Sequence, residues 1–234
     1  MHPLYFFLFA NFQYLCRPQK VASYSANKKW LHQFDKNNLL YGNSFPSVNC
    51  EHIVPQSLVK KNKIDKKSCS DLHLLSLCNS RLNSHRQNYQ FAELKGPKEL
   101  PKSNETPFLH SPSLVYLNVS GEVCQKNDAL CMKDTKLKKF EPPDAAKGKI
   151  ARAVGYFYWN YNASHLSKDL LHLSLMSKWD KEYPACPNEK KRNVKIKERQ
   201  GNANIFISRP LIFRIYLFPP FFYLKQKIDT IYKK

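Results

Sequence analysis

Acids, histidines, amides and an arginine crowd into the stretch from Asn49 to Phe91. It opens NCEHIVPQS (Asn49 to Ser57), crosses a lysine-rich segment and closes SDLHLLSLCNSRLNSHRQNYQF (Ser70 to Phe91). Glu51 is a hard oxygen ligand of the kind Mg²⁺ takes. His52 beside it is the side chain whose ordinary pKa, about 6.5, lets it accept a proton near neutrality. A base and a metal ligand thus stand on adjacent residues. Neighbours on a regular strand point to opposite faces, so both can serve one site only where the strand ends or bends, and Pro55 is placed to terminate it. The second half predicts a helix from about Leu77 to Tyr89, with Asn79, Asn83 and Arg86 at i, i+4 and i+7 on one polar stripe and Leu75, Leu77 and Leu82 towards the core. Asparagine is a poor interior helix residue, so the repeated amides point to a role for their side chains, a carbonyl ligand being one.

These residues carry a resemblance. Glu51-His52 with Pro55 and Ser57, then Asp71-Leu72-His73, then Asn83, Arg86 and Asn88 are similar to the bacterial endonuclease I family, Mg²⁺-dependent nucleases built on a ββα-metal, or His-Me, finger. A second block, FEPPDAAKGKIAR (Phe140 to Arg152), KWDKEYP (Lys178 to Pro184) and EKKRNVKIKERQGNAN (Glu189 to Asn204), agrees with the family in order and spacing, so the resemblance covers residues 21–206. It implies that Glu51 and Asn83 bind one Mg²⁺ and that His52 is the general base. The neutral imidazole would take a proton from water attacking phosphorus, the metal would stabilise the transition state, and products would carry a 5′-phosphate. Asp71 and His73 are expected to support the site, while Arg86 and Asn88 contact phosphate or brace the helix. Where family members can place a phosphate-contacting arginine, this chain offers Lys60, Lys61, Lys63, Lys66 and Lys67, point charges without bidentate geometry. Cys69 stands where some members have an acid, and Asn188 where tryptophan is usual.

The elements that must position these groups follow from the rest of the chain. The 234 residues fit one domain, and the fold class expected is α+β: a ββα-metal finger core packed with additional helices and irregular loops. A helix is predicted from Asp144 to Tyr161, with Lys147 and Arg152 off its apolar face, a second from Leu166 to Trp179, and a third from Glu189 to Gln200, stopped by Gly201. The third is basic and is read either as lying along a nucleic-acid backbone or as a solvated helix packed through Val194 and Ile196. Between Phe91 and Lys139 the composition predicts loops around a strand pair, and 22–43 a polar helical or looped lead-in. Residues 1–20 read as a leader or as a first N-terminal element. Residues 207–234 are an extension without family counterpart, expected to be poorly packed, and too interrupted by Arg214 and Pro219-Pro220 to span a membrane.

A net charge of +20, from 38 basic and 18 acidic residues, favours a polyanion: DNA, with RNA as the alternative. Seven cysteines without C-x-x-C spacing argue against zinc and fit disulfides of an exported protein, Cys69 with Cys78 and Cys124 with Cys131 being nearest in sequence. The expectation is therefore an exported, monomeric, Mg²⁺-dependent endonuclease with little base preference. The competing reading is a catalytically inactive nucleic-acid-binding protein on the same scaffold.

Overall fold

The computed structural model describes residues 20–94, 113–217 and 222–223. The leader or first element expected within 1–20 thus lies outside the described residues, Lys20 excepted. Helix α1 (Tyr24–Phe34), capped by the Ser23 hydroxyl, leads to strand β1 (Val48–His52). Pro55 does end the strand, turning the chain into the short helix α2 (Gln56–Lys61) and a 3₁₀ turn over Lys66–Cys69. Strand β2 (Leu75–Asn79) then returns antiparallel to β1, pairing Cys50 with Leu77, Glu51 with Ser76 and His52 with Leu75. Helix α3 (Ser80–Arg86) follows at once.

The helix expected from Leu77 is therefore a strand up to Asn79. Leu75 and Leu77 lie on one face of β2, packed with Trp30, Leu31, Cys50, Leu72 and Ile196, and Cys78 on the other face joins the main core. That is a period of two, which leucine spacing in so short a run does not distinguish from a helix. Asn79 belongs to no helical stripe. It is the N-cap of α3, its Oδ1 accepting from the Arg81 and Leu82 amides at 2.9 and 3.1 Å.

A second sheet has the order β3-β6-β5-β4, where β3 is Gln90–Phe91, β4 Leu114–Leu117, β5 Cys131–Asp134 and β6 Lys139–Glu141. Between the two sheets runs helix α4 (Asp144–Asn160), in which every residue from Ala146 to Asn160 except Lys149 is buried. Lys147 and Arg152 are therefore interior, not on a solvated face. Arg152 pairs in the interior with Asp180 and with both oxygens of Glu189, and Lys147 with Glu141 and with the exposed Asp144, so each cation is compensated. The helix expected over Leu166 to Trp179 is divided into a 3₁₀ turn (Ser164–Lys168) and helix α5 (Leu173–Glu182). The Leu170 carbonyl between them accepts from the Phe91 amide at 3.0 Å, so that segment serves strand β3 in place of a helical turn.

Helix α6 (Pro187–Gln200) has proline in its first turn and ends at Gly201, whose φ of 84° is the left-handed cap foreseen from the sequence. Its buried face is mainly polar, comprising Glu189, Asn193, Ile196 and Gln200, and Val194 is exposed. Asn188 is exposed on its first turn. Helices α7 (Ile205–Ser208) and α8 (Pro210–Leu217) complete the described chain. The described part of the extension corrects the expectation of poor packing. Phe213, Tyr216, Leu217 and Phe222 are buried in the main core, and Gly155 of α4 leaves just the room that the Phe213 ring fills. The expected disulfides are absent as well: the six described cysteines are free.

The loop before β2 is locked to the helices through Asp71. Its Oδ1 accepts from the His73 amide (2.9 Å) and Gln200 (2.8 Å), and its Oδ2 from the Tyr156 and Tyr161 hydroxyls (2.7 and 2.8 Å). His73 lies 4.7 Å from the Tyr156 ring, with Nε2 3.1 Å from the Asn202 carbonyl. A carbonyl only accepts, so Nε2 carries a proton. Burial pushes His73 down from 6.5 to about 4, against the opposing pull of Asp71.

Two outcomes are expected. Phe213→Ala should lower stability by about 3–5 kcal/mol in urea titration, because it empties a closed core site; a loss within error of zero would show the extension to be peripheral. Because His73 is depressed in the folded state, its contribution is complete above pH 6.5 and is lost as pH falls towards about 4. Stability should fall by about 3 kcal/mol across that window in the wild type, and the fall should be smaller in His73→Gln.

Candidate catalytic and metal site

The last two residues of β1 stand at the junction of the strand with α3 and the 3₁₀ turn. Strand alternation turns Glu51 inward, towards Tyr41 and Cys78, while His52 faces the side of Tyr24. His52 is half-buried, its ring 5.0 Å from that of Tyr24 with 29° between the planes. Its Nε2 lies 3.1 Å from the Cys69 carbonyl and 2.7 Å from the Gln56 side-chain amide. One ring nitrogen cannot donate to the first and accept from the second. The carbonyl has no proton to give, so we assign Nε2–H as its donor; the Gln56 amide, whose nitrogen faces Nε2, then turns over to present its oxygen, and the lone pair is left on Nδ1. Burial lowers the His52 pKa below 6.5, the Cys69 carbonyl opposes, and the Arg86 charge adds to the lowering. At neutral pH the imidazole is a proton acceptor.

Glu51 is 2% exposed, and its Oε1 lies 3.1 Å from Arg86 Nη1 without an aligned hydrogen bond. Burial raises its carboxyl pKa and the Arg86 charge opposes that rise. Arg86 donates to the carbonyls of His52 (3.0 Å) and Ile53 (2.9 Å), and its guanidinium lies 4.5 Å from the Phe91 ring centroid. It braces the strand end against α3 and is too buried, at 1% exposed, to meet a substrate phosphate.

Asn83, one turn before Arg86 on α3, is half-buried and donates through Nδ2 to the Cys50 carbonyl at 3.4 Å. That bond points the amide nitrogen at the strand and leaves the amide oxygen as the outward group. A hard cation would find a carboxylate with a buried oxygen that lacks a hydrogen bond, plus a neutral amide oxygen held against the neighbouring residue of the same strand. This donor set fits Mg²⁺, which keeps much of its water.

Of the residues singled out in sequence, Glu51, His52, Asn83 and Arg86 thus lie where the end of β1 meets α3. They are joined by the Arg86 contacts to Glu51 and the His52 carbonyl and by the Asn83 contact to the Cys50 carbonyl, with the Glu51 and His52 side chains leaving the strand on opposite sides. Asp71 and His73 do not join them and lock the loop before β2 from within. Asn88 lies exposed in the turn after α3. Lys60, Lys61, Lys63, Lys66 and Lys67 are all exposed on the segment whose Cys69 carbonyl meets His52, so that segment is strongly cationic. Sequence reasoning missed Tyr24, Tyr41 and Gln56. Of these, only Gln56 carried a signal, lying four residues beyond His52 across a chain-turning proline.

The chain was compared with known proteins. A family model described as Endonuclease I matches residues 11–211, extending past both ends of the segment whose motifs carried the resemblance. An "Extracellular deoxyribonuclease" of Aeromonas hydrophila is 29% identical over 140 residues, 59% of this chain and 49% of that protein. A "Periplasmic deoxyribonuclease" of the same organism is 28% identical over 141 residues, 59% and 47% of the two chains. An "Endonuclease-1" of Buchnera aphidicola is 29% identical over 140 residues, 59% and 44%. The chain spans about half the length of the curated relatives it matches. With a family match over most of its length and the Glu51-His52 pair, Asn83 and Arg86 gathered at one strand end, the chain belongs to the endonuclease I family.

Proposed function

We propose that this chain is an exported, monomeric endonuclease that hydrolyses phosphodiester bonds of DNA, with RNA as a further substrate, and that β1, β2 and α3 are its ββα-metal finger. Support comes from the names of its relatives, from the charge of +20 and above all from one observation: His52 Nε2 lies 3.1 Å from the Cys69 carbonyl, an arrangement that leaves Nδ1 as the basic nitrogen, on the residue next to Glu51. Among the described residues no helix is long and apolar enough to cross a membrane.

In this reading His52 Nδ1 removes the proton from the attacking water and Cys69 holds the ring so that the lone pair keeps its direction. Arg86 keeps the strand end rigid, and the lysines from Lys60 to Lys67 attract the phosphate backbone. Glu51 and Asn83 would hold one Mg²⁺, which would supply charge stabilisation at the attacked phosphate. The bond from water to phosphorus replaces the P–O3′ bond, so the 3′ oxygen departs as a hydroxyl and the other fragment keeps a 5′-phosphate. Phosphate contacts carry no sequence information, so base preference is weak. One observation favours the alternative of a silent nucleic-acid-binding scaffold: Arg86 already compensates the charge of Glu51.

Plasmid DNA incubated with the protein and Mg²⁺ should be cut. His52→Ala should lose about 10²-fold or more in rate while still retarding DNA, and EDTA should abolish cutting. Retardation without cutting in the wild type would establish the silent scaffold. Calorimetric titration with Mg²⁺ should show one site that disappears in Asn83→Leu. Because the base is active when neutral and its pKa is lowered from 6.5, the acid limb of the rate profile should lie below pH 6.5, with a plateau by neutrality. A limb centred above 7 would remove His52 as the titrating group. Raising salt from about 50 to 200 mM should cut affinity for DNA steeply on a log–log plot, whatever the DNA sequence.

A further inference from the structure

The contacts to Cys69 and Gln56 both meet the same ring atom, Nε2, so they fix one edge of the His52 ring and leave its plane free to rock about that edge. Two contacts from α1 remove that freedom. Tyr24, its first residue, lays its ring against the imidazole at 5.0 Å and 29°. Asn27, one turn later and 1% exposed, donates from Nδ2 to the Ser70 carbonyl at 2.7 Å, directly after the Cys69 carbonyl that receives His52. The helix thus holds both the face of the imidazole and the peptide next to the one that accepts from its edge.

Helix α1 is itself firmly placed. Trp30 and Leu31 pack with Cys50, Leu72, Leu75 and Leu77, Arg199 donates to Asn27 Oδ1 at 3.1 Å, and Arg192 pairs with Asp35 just beyond the helix. The Tyr24 hydroxyl lies against the Cys50 thiol, which ties the ring back to the strand that bears His52.

We propose that Tyr24 and Asn27 are positioning residues for the general base: they hold the His52 ring with its proton on Nε2 and its lone pair on Nδ1. The proposal rests on the nuclease reading for its catalytic consequence, though not for its structural content. Turning the ring over would exchange Nδ1 with a carbon and leave nothing to accept the proton from water. The flat aromatic face, stacked at 5.0 Å and 29°, opposes that turn, and places its negative π-face beside the imidazolium that forms when Nδ1 is protonated. The hydroxyl is not required for either effect.

The test uses the full chain and three variants, Tyr24→Phe, Tyr24→Met and Asn27→Ala, each checked for folding by circular dichroism. Nitrogen-15 NMR of His52 reads the tautomer without reference to activity. Wild type and Tyr24→Phe should show one neutral tautomer protonated at Nε2, whereas Tyr24→Met and Asn27→Ala should show exchange with the other. In plasmid cutting, Tyr24→Met should lose about ten- to a hundredfold in kcat at unchanged KM, and Tyr24→Phe should retain the wild-type rate. An unchanged tautomer in both Tyr24→Met and Asn27→Ala overturns the proposal, as does a Tyr24→Phe variant as impaired as Tyr24→Met. Should Tyr24→Met not fold, Asn27→Ala alone decides the question by the same NMR signal. A tautomer that shifts as expected in a protein that cuts no DNA leaves the positioning role standing and removes the nuclease reading.

Discussion

The Arg86 guanidinium, buried where α3 meets the end of β1, is the contact on which the local geometry depends. It donates to the carbonyls of His52 and Ile53, where the strand pairing runs out, and lies 3.1 Å from Glu51 Oε1. Two opposite charges enclosed together are costly to desolvate, and removing one partner from such a pair costs about 3–5 kcal/mol because the other is left uncompensated. The planar, multiply donating head of arginine meets that demand by donating to two backbone carbonyls while its charge compensates the carboxylate beside it, geometry that a lysine ammonium does not offer. The strand end is thereby held rigid beside the helix that carries Asn83.

The same device recurs around the site. Arg192 of α6 reaches Asp35 as well as the Leu72 and Leu75 carbonyls, at 3.1 and 2.8 Å for the last two, and so ties α1 to the segment that enters β2. Asp71 gathers two tyrosines and Gln200 on one carboxylate. These buried polar joints explain why α6, a helix crowded with lysine, has a defined inner face: Glu189, Asn193 and Gln200 each meet a specific interior partner. Apolar packing sets the thickness of the core, and the joints set its register.

Much of the frame was legible in the chain. Pro55 marked the end of β1, and Gly201 the end of α6. The period of Ile150, Ala151, Val154, Phe157 and Tyr158 marked α4 to within a residue of its observed end. The failures share one cause, which is that local pattern competes with partners distant in sequence. Leu75 and Leu77 read as helical because nothing nearby shows that β1 will pair with them. The expected helix over Leu166 to Trp179 is interrupted because β3 takes a carbonyl from its middle. Phe213 and Tyr216 looked like loose tail because the space they fill, beside Gly155 and Trp159, is created by another helix.

By itself the sequence determined the inventory and its order: a carboxylate and an imidazole on adjacent residues, a proline to end their strand, an amide and an arginine on the following helix, and an excess of cations. Those are covalent facts, set by residue type and spacing. Only the tertiary structure decided which nitrogen of His52 stays free, that Arg86 braces the interior and does not reach outward, that Asp71 and His73 serve the core, and that an aromatic ring from α1 covers the imidazole. Each of these depends on a carbonyl, a ring or a charge brought up from elsewhere in the chain. Burial then multiplies its effect, because no water remains to compete for the same hydrogen bonds.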